Sequence, residues 1–160
     1  MKWEIQTLDI MIAPEVTTKL ETIAPNYQTT TVTILLACWQ ILVWRLTEES
    51  SIVIGMNCDR REYEEMHPIM GLLASSMPIK SDLTWDLTFT EVLAALEQTL
   101  ESVQEWQDYF VPESIANDNL IFPIGFEFQE LPTPRDAVDV TFSWLQQSSS
   151  IEKYSNTGLG

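Results

Sequence analysis

Residues 31–46 (TVTILLACWQILVWRL) are apolar nearly all the way round a helical projection, and this stretch limits what the chain can become. A helix with one apolar stripe can lie on a surface, whereas one apolar on every side must be enclosed by other elements. Thr29 to Thr31 offer it an N-cap. Gln40 and Arg45 interrupt it, and it falls short of the roughly 18 apolar residues that suggest a membrane span. A polar turn at 47–51 ends the helix. Residues 52–58 (IVIGMNC) then read as a buried strand.

The other elements follow from local signals. Residues 3–12 alternate loosely and read as a strand. Pro14 sits where a first helical turn accepts it, so a short helix should run to about Ile23 before Pro25 and Asn26 break it. A charged loop (DRREYEEMHP) precedes a mostly apolar stretch that leads into a strand over 77–83. Thr88 and Glu91 form a capping box at the start of a helix whose apolar positions are Phe89, Val92, Leu93, Leu96, Leu100, Val103 and Phe110. Its other face carries Glu91, Glu97, Gln98, Glu101 and Glu105, a solvated acidic face. Residues 120–128 read as a strand, with Pro123 forcing an edge or a bulge. Residues 137–144 alternate as one further strand, with Val138, Val140, Phe142 and Trp144 on one face, and residues 147–160 are a polar tail. The expected class is α+β, with helices packed on a layered sheet.

Charge narrows the function. The chain carries 24 acidic and 8 basic residues, a formal net charge of −16. Such a surface repels phosphate backbones and anionic membranes, so neither nucleic acid nor membrane is an expected partner. The N-terminus lacks a basic start followed by a long apolar run, so no signal peptide is read. Two cysteines, Cys38 and Cys58, are too few for a disulfide framework and fit reduced thiols in a cytoplasmic protein.

The side chains that could carry chemistry have plainer readings. The one histidine, His67, lies in a polar loop with no evident orienting partner, so it reads as a loop residue and not a general base. Cys58 adjoins Asp59, which disfavours a thiolate. Asp59, Glu62, Glu64 and Glu65 fit no calcium ladder, so no metal site is expected; Arg61 should pair locally with Glu65. Trp39 and Trp44 read as core residues of the apolar helix.

Several segments, taken in order, resemble the C-terminal lobe of nonribosomal peptide synthetase condensation domains, members of the chloramphenicol-acetyltransferase-like superfamily. The apolar helix with Arg45-Leu46-Thr47-Glu48-Glu49-Ser50 and Ile52-Val53-Ile54-Gly55 resembles the family's LLxxWQxLLxRLTGExDIVIG. Arg60 stands in place of a family glycine, while Arg61, Glu65 and Gly71 match its arginine, glutamate and next glycine. Residues 71–78 (GLLASSMP) keep the glycine and, at Pro78, the proline of G-x-F-V-N-T-L-P, without its aromatic and asparagine. Trp106-Gln107-Asp108-Tyr109 resembles the start of H-Q-D-Y-P-F-E, with Trp106 at the histidine. Residues 122–128 resemble the strand that follows.

The resemblance spans roughly residues 3–146 and implies a partial C-terminal lobe over 1–146. Its catalytic signature, H-H-x-x-x-D-G, belongs to the N-terminal lobe and cannot occur in a chain with one histidine and no Asp-Gly pair. The resemblance therefore implies a chain that is non-catalytic alone: a split subunit or a remnant of an amide-forming domain. Arg61, Glu65, Gly71, Pro78, Trp106, Gln107, Asp108 and Tyr109 would be structural or tunnel-lining. Phosphopantetheine would arrive on carrier proteins and not bind as a resident cofactor. The implied partners are an N-terminal condensation lobe, other synthetase modules and carrier proteins. The alternative is a non-enzymatic interaction protein that forms a homo-oligomer or docks on a synthetase module through apolar surface.

Overall fold

The structure is a computed structural model that describes residues 6–58, 64–66, 69–70, 74–110, 122–130, 135–137 and 140–142. In chain order the elements are α1 (Pro14–Ile23), α2 (Thr31–Thr47), β1 (Ser51–Cys58), β2 (Ser75–Asp82), α3 (Phe89–Trp106), β3 (Gly125–Phe126), β4 (Arg135–Ala137) and β5 (Val140–Phe142). One-turn 3-10 helices occupy Ala24–Tyr27, Glu64–Met66 and Gln107–Tyr109. Two compact units result: residues 12–128, and residues 1–11 with 129–160.

In the larger unit β1 is the middle strand of a sheet ordered β2-β1-β3, antiparallel to β2 and parallel to β3. The register places Ile52, Ile54 and Met56 opposite Ser81, Ile79 and Met77, so these six share one sheet face. Ile52, Ile54 and Ile79 form one core cluster with Leu36, Ala37, Val43 and Trp44 of α2 and Val92, Leu93 and Leu96 of α3. Burying each large aliphatic chain contributes about 1.5–3 kcal/mol, which makes this cluster the main favourable term of the unit.

The helix ends are held by side chains. The Thr30 hydroxyl accepts from the Thr33 N–H at 3.1 Å and caps α2. At the start of α3 the Thr88 hydroxyl accepts from the Glu91 N–H at 3.3 Å, and the Glu91 carboxylate accepts from the Thr88 N–H at 2.8 Å. That second bond, joined by one from the Thr88 hydroxyl, holds the Glu91 carboxyl below its ordinary pKa. The capping box expected from sequence is therefore present. The Thr29 hydroxyl also bonds to Glu97, tying the approach to α2 onto α3.

Several expectations are corrected. Residues 6–13 form no strand, because no described strand pairs with them and alternation without a ladder partner is not enough. α2 is enclosed on one side only: Ile34, Leu36, Ala37, Gln40, Val43 and Trp44 face the core, while Cys38, Trp39 and Leu42 face outward. The sheet and α3 supply a single covering layer, so Trp44 is 8% exposed but Trp39, expected in the core, is 37% exposed. Phe89 is likewise exposed, and Phe110 lies beyond the end of α3. The strand read over 120–128 shrinks to Gly125–Phe126, since Pro123 has no N–H to give and residues 123–124 bend. Among the described residues it lies at a sheet edge, one of the two outcomes expected from Pro123.

In the smaller unit β4 pairs antiparallel with β5, Ala137 opposite Val140. The alternating segment expected as one strand therefore begins with a residue of one strand and continues in its partner. Val138, Trp144 and the tail at 147–160 lie outside the described residues.

Candidate functional site

The candidate site lies along the edge of β2 that has no strand beside it among the described residues. The Leu83 N–H donates to the Ser50 carbonyl at 2.8 Å, which fixes the odd residues of β2 as those bonded to β1. Ser76, Pro78, Lys80 and Asp82 thus aim their backbone groups away from the sheet. Pro78 has no N–H to present there, so it is tolerated, and it also blunts the edge against unwanted strand addition. Lys80 and Asp82 form a salt bridge at 3.0 Å on the same edge. Hydrogen bonds from Lys80 and then Ser51 hold the Asp82 carboxyl below its ordinary pKa.

α3 overhangs this edge. A groove of about 380 Å³ opens between Met77 and Pro78 of β2, the α3 flank carrying Thr99, Ser102 and Val103, and the aromatic residues that follow. Trp106, the last residue of α3, stands beside Tyr109 of the next turn, with ring centroids 5.7 Å apart and planes inclined by 56°. This tilted geometry is one that aromatic pairs prefer. The rings stay open to solvent, Trp106 at 60% and Tyr109 at 77%. Thr99 and Ser102 donate their hydroxyl protons back to the Ala95 and Gln98 carbonyls, each at 2.9 Å. Both residues line the groove, and each oxygen keeps lone pairs free to accept.

A second opening, of about 450 Å³, lies where β1 meets β3. The Gly55 N–H donates to the Ile124 carbonyl at 2.9 Å, and the Asn57 amide donates to Glu127 at 3.2 Å. A Cβ on Gly55 would lie 2.5 Å from the Phe122 ring, so only glycine leaves room for that ring over the strand.

Of the residues expected to matter, Pro78, Trp106 and Tyr109 come together round the first groove. Gln107 turns into the interior and is buried, while Asp108 is exposed. Glu65 is exposed in its one-turn helix and does not line the groove. Arg61, His67 and Gly71 lie outside the described residues, and with them the expected Arg61–Glu65 pair. Cys58 lies on the helix-covered side of β1, its thiol 3.7 Å from the Met56 carbonyl. Although Cys38 faces outward, desolvation by the atoms around its thiol raises the thiol pKa, away from nucleophilic chemistry. Among the described residues no cluster of side chains could hold a metal ion.

The Condensation domain family model matches residues 1–119. The chain belongs to the condensation-domain family. Bacitracin synthase 3 of Bacillus licheniformis is 24% identical over 152 residues, which cover 89% of this chain and 2% of that protein. The first condensation domain of the CDA synthetase superposes with a TM-score of 0.66 at 15% identity, over 77% of this chain and 28% of that one. The condensation domain of the Monacolin K polyketide synthase MokA gives a TM-score of 0.60 at 23% identity, over 65% and 23%. These structural likenesses establish the fold, that of the chloramphenicol-acetyltransferase-like domains. The chain thus spans a small part of the relatives it matches.

Within this condensation-domain frame, two departures gain a structural meaning. Glu48, which stands at the glycine of the motif the sequence resembles, follows α2 with φ of 59°, a left-handed conformation that suits glycine. Trp106, which stands at the histidine of the motif the sequence resembles, forms one wall of the groove. Sequence reasoning missed the small residues at 95, 99 and 102, which form a helical row between the apolar stripe and the acidic face of α3. Their spacing was legible, but nothing marked that row as the side overhanging a sheet edge. No single helix among the described residues is long and apolar enough to cross a membrane.

Proposed function

We propose that this chain contributes the C-terminal-lobe wall of a condensation-domain tunnel, in which an amine on one carrier-bound phosphopantetheine arm attacks the thioester on another to form an amide. The observation that carries this reading is the family match over residues 1–119, together with the presence of a single histidine in the chain. The family signature needs two adjacent histidines, so the base that positions or deprotonates the amine comes from outside these 160 residues. The lobe assignment takes in residues 1–146, with 147–160 as a polar tail. Arg61, Glu65, Gly71, Gln107 and Asp108 serve the architecture in this proposal, while Pro78, Trp106 and Tyr109 face the tunnel. The arms reach the tunnel on carrier proteins, and the remaining partners are the N-terminal lobe and neighbouring synthetase modules of a cytoplasmic assembly.

The test is reconstitution. The chain is mixed with a separately produced lobe carrying H-H-x-x-x-D-G, and amide formation between carrier-bound thioesters is followed by mass spectrometry. Product should require both components and vanish when the second histidine becomes alanine. Product from this chain alone would contradict the assignment of the base.

The outward flank of α2, with Trp39, Leu42 and Leu46 exposed, favours a second reading. There the chain is a non-enzymatic interaction protein that self-associates or docks on a synthetase module. Light scattering on the purified chain separates the two cases: a concentration-dependent dimer lost in Leu42→Glu supports the second reading, and a monomer disfavours self-association.

A further inference from the structure

The groove beside Trp106 has a composition that states what it can hold. Its walls are Met77, Pro78, Val103, Trp106, Tyr109 and Phe110, and among the described residues no charged side chain lines it. The whole chain carries a net charge of −16, so an anionic occupant would meet repulsion without a compensating cation. The volume of about 380 Å³ exceeds the roughly 150 Å³ in which a benzene-sized ring fits a protein cavity. The tilted Trp106–Tyr109 pair lines the groove together with Met77 and Pro78 of β2. The Thr99 and Ser102 oxygens, their protons already donated to the helix, accept from an N–H.

We infer that this groove is a specificity pocket for an uncharged apolar acyl chain or side chain borne on an amide-containing thioester arm, with Trp106 as the residue that sets the class. The inference rests on the tunnel-wall reading above and deepens it. The apolar group lies against Trp106, Tyr109 and Met77. The arm's amide N–H donates to Ser102 or Thr99, so the polar contact orients the occupant and the rings select it. Imidazole at position 106 would shrink the apolar wall and add a polar edge, so the pocket's preference is a property of this chain and not of the motif.

The experiment uses the whole chain and four probes: pantetheine, S-hexyl-pantetheine, S-benzyl-pantetheine and S-carboxymethyl-pantetheine. Binding is read from the Trp106 indole N–H signal in a two-dimensional NMR spectrum, assigned by its loss in Trp106→Phe. The hexyl and benzyl probes should saturate the shift with affinity at least about tenfold above pantetheine and the carboxymethyl probe, about 1.4 kcal/mol. Trp106→His should bring all four probes together when followed by the Ser102 and Val103 amide signals. Ser102→Leu, on an exposed helical position, should block the apolar probes by filling the groove while leaving thermal unfolding intact. If all four probes bind alike, the pocket inference is overturned and the tunnel reading stands. If none shifts the Trp106, Ser102 or Val103 signals, the pocket inference is overturned, while the tunnel reading is decided by the reconstitution.

Discussion

Glu48 holds a backbone conformation that penalises any side chain. Its φ of 59° and its N–H bond to the Trp44 carbonyl at 2.8 Å define a helix C-terminus of the kind glycine usually closes. Glu48→Gly should therefore raise stability by about 1 kcal/mol, read as a higher urea midpoint at constant slope; a lower midpoint would contradict the account. Gly55 presents the opposite case. Alanine there would push a methyl into the Phe122 ring, so Gly55→Ala should destabilise by about 1–3 kcal/mol, and Gly55→Ala with Phe122→Ala should recover part of it. Gln40 is fully buried in the core-facing stripe of α2, and its amide atoms have no hydrogen-bond partner among the described residues. Methionine keeps the volume without the unmet polar groups, so Gln40→Met should stabilise by about 1–3 kcal/mol in the same assay. A loss of stability would mean that the amide is satisfied by a group beyond the described residues.

Elements carry the pH dependence. Hydrogen bonding holds the Glu91 carboxyl below its ordinary value, so the capping box favours the folded state at neutral pH. That contribution fades as pH falls through the ordinary glutamate value, about 4.3, and is gone once the folded carboxyl is protonated. Amide exchange at the first turn of α3 should accelerate on acidification relative to the helix centre. Thr88→Ala should remove most of that difference and lower stability by about 1 kcal/mol at neutral pH. An unchanged pH response in the variant would show that the box does not hold the helix end. These elements are also the most legible in sequence. The capping box, Pro14 and the Thr30 cap are local signals with a one-to-one structural outcome. Burial is less legible: a stretch of apolar residues announces α2 but not how many layers cover it, so pattern alone puts Trp39 inside. The strand expected over 3–12, absent from its described residues, has the same origin, because alternation gives a strand's faces and says nothing of its partner.

For the whole molecule, the family match spans residues 1–119 and so takes in most of the sheet-and-helix unit over 12–128, and the groove in that unit carries what distinguishes this chain. The groove is invisible in sequence because it is made by juxtaposition: Pro78 and Trp106 belong to separate motifs and meet only when α3 overhangs β2. The absence of a second histidine, by contrast, needs no structure at all. The most direct test is a chimera. Residues 12–128 replace the matching segment of an active condensation domain that keeps its own H-H-x-x-x-D-G lobe, and amide product is measured by mass spectrometry from carrier-bound substrates with apolar side chains. The account predicts product that depends on the retained lobe's histidines and falls when Ser102→Leu fills the groove. A folded, soluble chimera that makes no amide would contradict it.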